Sequence, residues 1–448
     1  MKLHGTMRIN EQGHLEIGGY DTVKLAQDYG TPLYVMDEEE IRRVCREYRK
    51  AFTNAFGSEV IYASKAFMTM AICRIIEEEG LSLDVVSGGE LYTAIKARFP
   101  ASRIYFHGNN KQQDELCMAL EYRVGRIIVD NFYELDLLNT LAGQMGVKAS
   151  VLLRLTPGVE AHTHEYIRTG QIDSKFGFTV PNGQALKAVK HCLAASNLQF
   201  KGIHCHIGSQ VFEMESFGHA ARVMMEVVRQ IKEQTGVTVE ELNLGGGFGI
   251  YYAEGDQPAT IVRYAQAVME AVQEKAAANG IKVPRIMIEP GRSIVGVAGT
   301  TLYTIGSIKE IPQVRKYVAV DGGMSDNPRY ALYQARYEAI LANRAAEPPV
   351  ELVSITGKCC ESGDMLIHDI RLPSVMTGDI LAVFCTGAYN YSMSMNYNRL
   401  ARPAIVLVKE GQADIIVERE TYEDLLRNDR IPERLMGEQK IKLAAINK

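Results

Sequence analysis

Positive charge is not in excess in this sequence: 49 Lys and Arg stand against 54 Asp and Glu, a formal net charge of −5. With no basic field and no long run of like charge, composition gives no footprint for nucleic acid. No apolar stretch approaches the length of a membrane span. The opening residues, MKLHGTMRINEQGHLEIGGY, lack the apolar centre of a secretory signal, so a cytoplasmic location is expected. Paired cysteines are missing as well. The eight cysteines, at 45, 73, 117, 192, 205, 359, 360 and 385, have no CxxC spacing and no metal-ligand pattern. Neither a disulfide framework nor a metal site is therefore expected, and reduced thiols fit a chain of this size. Cys359 and Cys360 are neighbours; a bridge between them would be strained, which leaves at least one as a free thiol with another purpose.

At 448 residues the chain is long for one core and reads as two domains. Between 60 and 290 one theme recurs: a short β-branched apolar run, a polar or glycine-rich turn, then a helical stretch. The runs are VIYA (60–63), SLDVV (82–86), RIYFH (103–107), RIIVD (126–130), SVLLRL (150–155), FKGIHCHI (200–207), ELNL (241–244) and RIMIE (285–289). Each reads as a buried parallel strand flanked by turn residues. Segments such as MAICRIIEEEG and VMMEVVRQIKEQTG carry apolar residues at three- and four-residue spacing and read as helices. Strand then helix about eight times over is the arithmetic of a (β/α)8 TIM-type barrel, in the α/β class. The uneven spacing excludes a sequence-level repeat protein.

Asp37 followed by Glu38, Glu39 and Glu40 predicts a helix N-cap with a capping-box acid. The ends of the chain differ from its middle. Residues 5–20 and 404–417 read as hairpins, and 300–322, 350–357 and 380–387 as short strands. The expected architecture is a barrel over 38–298 and a sandwich- or barrel-like β-domain made from 1–37 together with 299–448.

Barrels of this type gather their chemistry at the C-terminal strand ends. Those ends carry Lys65, Ser87-Gly88-Gly89, His107-Gly108-Asn109-Asn110, Asp130-Asn131, Arg154, His206 with Ser209, Gly245-Gly246-Gly247, and Glu289 with Arg292. Three glycines in a row after an apolar run can turn bare backbone N–H groups onto a phosphate. Glu289 and Arg292 put an anion and a cation at one strand mouth. A molecule with a phosphate at one end and a basic ring nitrogen at the other needs both, and pyridoxal 5'-phosphate (PLP) is such a molecule. Lys65 in YASKAF is placed as its aldehyde partner, in an apolar mouth expected to desolvate the ammonium and favour the reactive amine. The glycine triplet, Ser209 and Tyr389 are expected on the phosphate, Glu289 at the ring nitrogen and His206 against the ring face. A carboxylate at that nitrogen keeps the ring protonated and a full electron sink, which points to carbanion chemistry such as loss of carbon dioxide. Taken singly, each residue has a plainer reading: a solvated lysine, a satisfied core histidine, a flexible glycine turn, an arginine in a structural ion pair. Their convergence on one edge favours the site.

The motifs YASKAF, LDVVSGGEL, HGNNK, TGQIDSKFGF, HCHIGSQ, LGGGFG, IEPGRS, DGGMSDNPRYALYQARYEA, CCESGD and GAYNYSMSMNYN resemble those of the diaminopimelate decarboxylase family. That family belongs to the fold type III, alanine-racemase-like PLP enzymes, and the resemblance runs over about residues 30–430. It implies a barrel plus β-domain, a homodimer with active sites shared across the interface, and conversion of meso-2,6-diaminoheptanedioate to L-lysine and carbon dioxide, the last step of lysine biosynthesis. Residue by residue, it implies Lys65 as the Schiff-base lysine and Cys360 as a proton donor serving the other subunit's site. Cofactor contacts implied with Lys65 are His206, Ser209, Gly245, Gly246, Gly247, Glu289, Pro290, Gly291, Arg292 and Tyr389. Arg292, Arg329, Tyr333, Glu361 and Tyr389 fall on the family's substrate contacts. The chain departs from the family at YASKAF, where YALKAN is common, and at Tyr330, where a proline is common.

Substrate chemistry agrees with this. The distal end of diaminopimelate is an amino acid, needing a cation for its carboxylate and an anion for its ammonium; Arg329 and Glu361 are such a pair. A decarboxylase for ornithine or lysine meets only a distal amine there. Another decarboxylase of the same fold type, and a PLP carrier without catalysis, are the rival readings. Residues 156–175, rich in His and Thr, are the expected closing loop.

Overall fold

The computed structural model describes residues 2–158 and 173–436. Of the expected closing loop, 159–172 lie outside the described residues.

Every apolar run of the middle segment is a strand. Glu59–Ala63, Ser82–Val85, Ile104–Phe106, Arg126–Val129, Ala149–Thr156, Leu198–His204, Glu241–Asn243 and Arg285–Ile288 pair in parallel in chain order. Met287 and Ile288 of the last strand pair with Glu59 and Val60 of the first, so the barrel closes. Helices follow the strands, from Met70–Glu78 to the single turn Arg292–Val295. Their apolar faces and the outer faces of the strands form the larger core.

The period of two along each strand sorts the interior into layers. In the fourth strand Arg126, Ile128 and Asp130 follow one another on the inside; in the eighth, Arg285, Met287 and Glu289. The lower layer is a polar plug, with Arg126 bidentate on Glu241 at 2.8 and 2.7 Å and Glu59 taking Tyr105 and Arg285, each at 2.9 Å. A small apolar layer of Ile61, Tyr105, Ile128, Leu152 and Met287 seals the middle. The upper layer carries Asp84, His107, Arg154, His204 and Glu289, all lining one cavity. Alternation alone therefore delivers a polar floor to the C-terminal mouth.

The second layer of structure is a β-domain built from both ends of the chain. Leu33–Asp37 pairs antiparallel with Gly299–Ile311 and in parallel with Ala404–Lys409. Gly299–Ile311 also pairs with Arg315–Val320 and Ile380–Phe384, and Ala404–Lys409 turns back onto Gln412–Val417. The first hairpin, Arg8–Ile9 with Leu15–Ile17, and the last both fall where glycine turns predict them. Leu33–Asp37 itself carries no alternation, because all five residues are buried, and sequence reading passed over it. Asp37 caps the helix Glu38–Tyr48 by accepting from the Glu40 N–H. The expected capping box is half absent. The Asp37 N–H donates to Ala298 at 2.9 Å, and Glu40 turns to Arg43 at 2.7 Å. No helix among the described residues is long and apolar enough to cross a membrane.

Candidate active site

A cavity of about 640 Å³ opens at the C-terminal end of the barrel, with walls from both domains. The barrel contributes Lys65, Asp84, His107, Arg154, His204, His206, Ser209, Tyr252, Glu289 and Arg292 to its lining; the β-domain adds Arg329, Tyr333 and Tyr389. The two domains are tied at this point. Tyr389, at a positive φ of 62°, donates its N–H to Ala66 at 2.8 Å, one residue from Lys65.

Lys65 sits in the short 3-10 turn Ser64–Ala66 that ends the first barrel strand. Its side chain is exposed and lines the cavity. The turn itself is buried on both sides of the lysine, with Ser64 Oγ on Glu90 at 2.8 Å, so the backbone beneath an accessible amine is fixed.

Glu289 is the most tightly held group. Its N–H donates to the Gly245 carbonyl at 2.9 Å. Asn243 Nδ2 donates to Oε1 at 2.7 Å, and His204 Nε2 donates to Oε2 at 3.2 Å. His107 Nε2 also lies 2.9 Å from Oε1, out of line for a hydrogen bond. Burial alone would raise this carboxyl, but the two imidazoles hold it well below the usual carboxylate range. His204 is pushed down to about 4, first by burial, so it serves as a neutral donor. Asp84 goes the other way: burial, with Glu289 close by, lifts it to about 7. The floor thus holds one carboxylate and, beside it, one carboxyl near neutrality.

His107, His204 and Glu289 bring ligand atoms within 4.8 Å of one another, a donor set that could also take a divalent cation. The Arg154 charge acts on both Glu289 and His204, and opposes a cation there. Arg154 stacks on Phe176 at 4.1 Å and lies 3.8 Å from Asp130, whose other oxygen accepts from Gly177 at 3.0 Å.

The glycine triplet does something other than expected. The Gly245 N–H is taken by Asn243 at 2.9 Å and the Gly246 N–H by His206 Nδ1 at 3.3 Å. Two of the three amides are therefore not bare. Glycine is required because a Cβ on Gly246 would stand 2.0 Å from the Glu289 carbonyl and one on Gly247 2.3 Å from that of Gly208. The triplet lets neighbouring strand ends approach closely. His206 is half-buried, lies along the cavity and is kept neutral, first by burial and then by the Lys65 and Arg154 charges.

Beside the main cavity a recess of about 40 Å³ is lined by Ser209, Gly247, Gly291, Arg292, Ser293 and Tyr389. Lys65, His206 and Glu289 line both spaces. Arg292 is buried, donates Nη2 to Ser209 Oγ at 2.9 Å and Nη1 to Tyr252 at 2.7 Å, and lies 4.7 Å from the Tyr389 ring. Its Nε has no hydrogen-bond partner among the described residues. A buried, incompletely satisfied guanidinium in a small recess suits an anion. Pro290 shapes the same turn, its carbonyl accepting from Ala63 at 3.1 Å. The donor set therefore fits a phosphate in the recess, an aldehyde at Lys65 and a ring nitrogen near Glu289.

Cys360 and Glu361 are not in this cavity. They are exposed on the β-domain, where the Cys360 N–H donates to Asn398 at 2.6 Å and Glu361 accepts from Tyr397 at 3.4 Å. Asp364 shapes their loop by accepting from the N–H groups of Met324 at 2.6 Å and Cys359 at 2.7 Å. Cys359 is buried and its thiol is pushed up to about 11, first by burial and then by Asp364. All eight cysteines are free. Sequence reading missed His204, Asn243, Tyr252 and Tyr337. Asn243 and His204 could have been found by counting two residues along their strands from Glu241 and Gly202.

A barrel with an accessible lysine, a clamped carboxylate and an anion recess at one mouth defines a class, and residues 38–296 match the pyridoxal binding domain of the pyridoxal-dependent decarboxylases. The sequence is 58% identical to diaminopimelate decarboxylase of Bacillus subtilis (strain 168), covering 96% of this chain and 98% of that protein. It is 47% identical to that of Staphylococcus aureus (strain COL), over 95% and 99%. The fold superposes on a diaminopimelate decarboxylase from M. jannaschii in complex with L-lysine with a TM-score of 0.90, at 40% identity over 96% and 99% of the two chains. The chain belongs to the diaminopimelate decarboxylase family, and its cofactor is PLP.

Proposed function

We propose that this enzyme converts meso-2,6-diaminoheptanedioate to L-lysine and carbon dioxide, as a cytoplasmic homodimer whose active sites are shared between subunits. The observation that carries the reading is the joint lining of one cavity by Lys65, Glu289, Arg292 and Arg329. Its relatives from B. subtilis and S. aureus bear the same activity in their names, and the M. jannaschii enzyme was solved with L-lysine.

Lys65 Nζ is the amine for the cofactor's aldehyde. Ser209, Gly247, Gly291, Arg292 and Tyr389 would hold the phosphate, with Gly245, Gly246 and Pro290 shaping the strand ends behind them. His206 would lie along the ring and Glu289 would meet its nitrogen. When bound, PLP accepts the electron pair left behind by the departing carboxylate. The hydrogen bonds from Asn243 and His204 favour the ionised form of Glu289, so it can hold a proton on a ring nitrogen. Arg329 and Tyr333, with Glu361 from the other subunit, would orient the distal amino-acid group, and Arg292 and Tyr389 would also touch substrate. Cys360 Sγ, again from the other subunit, would deliver a proton to the carbon that lost its carboxylate. Support for that choice over Cys359 is exposure: Cys360 can reach a partner, whereas Cys359 is buried beside Asp364.

Carbon dioxide release from meso-diaminopimelate, L-lysine and L-ornithine by the PLP-loaded enzyme tests the reading. Diaminopimelate is expected to react at least about 100-fold faster in kcat/KM, because a site built for a polar group rejects analogues lacking it. Comparable rates on the three would refute it.

A further inference from the structure

The cavity has an unusual wall. Arg329 is buried, at 7% exposure, yet among the described residues it pairs with no carboxylate. Its neighbours are phenols. Nη1 donates to Tyr337 Oη at 2.7 Å, and the guanidinium carbon lies 4.7 Å from the Tyr252 ring and 5.6 Å from the Tyr337 ring. Tyr337 in turn donates to Asn390 Oδ1 at 3.3 Å. The Tyr252 and Tyr337 rings meet edge to face, 5.8 Å apart at 87°. Tyr252 also accepts from Arg292, so one phenol braces two cations. Tyr252, Tyr337 and Asn390 are themselves buried.

This arrangement has a specific consequence. A buried guanidinium is normally compensated by an acid, which fixes its position and cancels its charge. Aromatic faces and a neutral hydroxyl fix the position while leaving the charge uncancelled. A planar cation held in one place, desolvated and unneutralised, is a site for an incoming carboxylate. Alternation between residues does not produce this: Tyr252 comes from the loop after the seventh barrel strand, Tyr337 from beyond the helix Arg329–Tyr333, and Asn390 from the loop after Ile380–Phe384.

We propose that Tyr252, Tyr337 and Asn390 are specificity-determining positioning residues: a neutral cage that holds Arg329 for the substrate's distal carboxylate without competing for it. The inference rests on the substrate reading given above. The Tyr337 hydroxyl carries the aim of the guanidinium, and the Tyr252 ring supports its face.

Calorimetric titration of the holoenzyme with two ligands isolates the effect. L-lysine keeps the distal carboxylate; 1,5-diaminopentane is the same skeleton without it. Wild-type enzyme is expected to prefer L-lysine. Tyr337→Phe, which removes the hydroxyl, is expected to weaken L-lysine about tenfold and leave the diamine within about twofold. Asn390→Asp is nearly isosteric and brings a carboxylate into the cage; it is expected to lower the same preference by about tenfold without enlarging the cavity. The inference is overturned if Tyr337→Phe and Asn390→Asp weaken both ligands equally or neither. Arg329→Gln separates the two levels. Loss of preference in Arg329→Gln alone sinks the cage and spares the substrate reading; preference surviving in Arg329→Gln sinks both.

Discussion

His204 Nε2 donates to Glu289 Oε2 at 3.2 Å, inside the barrel and with both side chains buried. The donor is neutral, so the bond satisfies the carboxylate without cancelling its charge. An arginine or lysine in place of His204 would cancel it, and would weaken the hold on a ring proton proposed for Glu289.

Glu289→Gln preserves size and burial and removes the charge. It is expected to retain bound PLP, read from its absorbance, while kcat falls about 10²- to 10³-fold, the scale of losing one electrostatic stabiliser. A kcat within about twofold of wild type would show that the charge has no part in the reaction.

The same pair makes stability depend on pH. His204 is lowered to about 4, chiefly by burial, with Glu289 opposing. The folded chain carries it neutral where the unfolded chain, with a value of about 6.5, takes up a proton. Its contribution to stability is therefore complete above about pH 6.5 and lost as pH falls towards 4. In His204→Gln this loss is absent. Denaturant melts should show the gap between wild type and variant shrinking on acidification, by up to about 1.4 kcal/mol per pH unit. A gap that stays constant across the window contradicts the assignment.

Gly246→Ala tests whether the triplet is there for close approach. A Cβ at 2.0 Å from the Glu289 carbonyl cannot be accommodated by a side-chain shift, since the obstacle is backbone. Loss of several kcal/mol is expected, read as a lower unfolding midpoint together with loss of bound PLP. Wild-type stability in this variant would mean that the strand ends are less closely packed than described.

Cys360 lies outside the cavity of its own chain, and a shared site makes a sharp demand. Lys65→Ala and Cys360→Ala should each be inactive alone. Mixed in equal amounts with subunit exchange, half the dimers are hybrids with one intact site, and activity should recover to about a quarter of wild type. No recovery despite demonstrated exchange places the proton donor elsewhere.

Much of this molecule is legible in its sequence, and the reason is periodicity. Buried parallel strands read as short apolar runs, and all eight lie where those runs are. Strand-end chemistry follows from the same count: Lys65, Glu289 and Arg292 line one cavity although they are far apart in the chain. What was not legible depends on partners without periodicity. Tyr252 and Tyr337 reach Arg329 from irregular segments with no local signal. Consecutive glycines advertise bare amides, but whether a neighbour such as Asn243 takes them depends on a strand-to-strand distance. Lys65 follows a buried apolar run, yet its own side chain is exposed, which the run by itself does not reveal. Leu33–Asp37 is buried on both faces and carries no alternating pattern to be found.

Reduction of the PLP-loaded enzyme with borohydride, followed by peptide mapping, tests most directly the claim that one lysine at this mouth carries the cofactor. The pyridoxyl group is expected on the peptide containing Lys65, and labelling should vanish in Lys65→Ala. Label on another lysine, such as the buried Lys111, or undiminished label in the variant, would contradict the account.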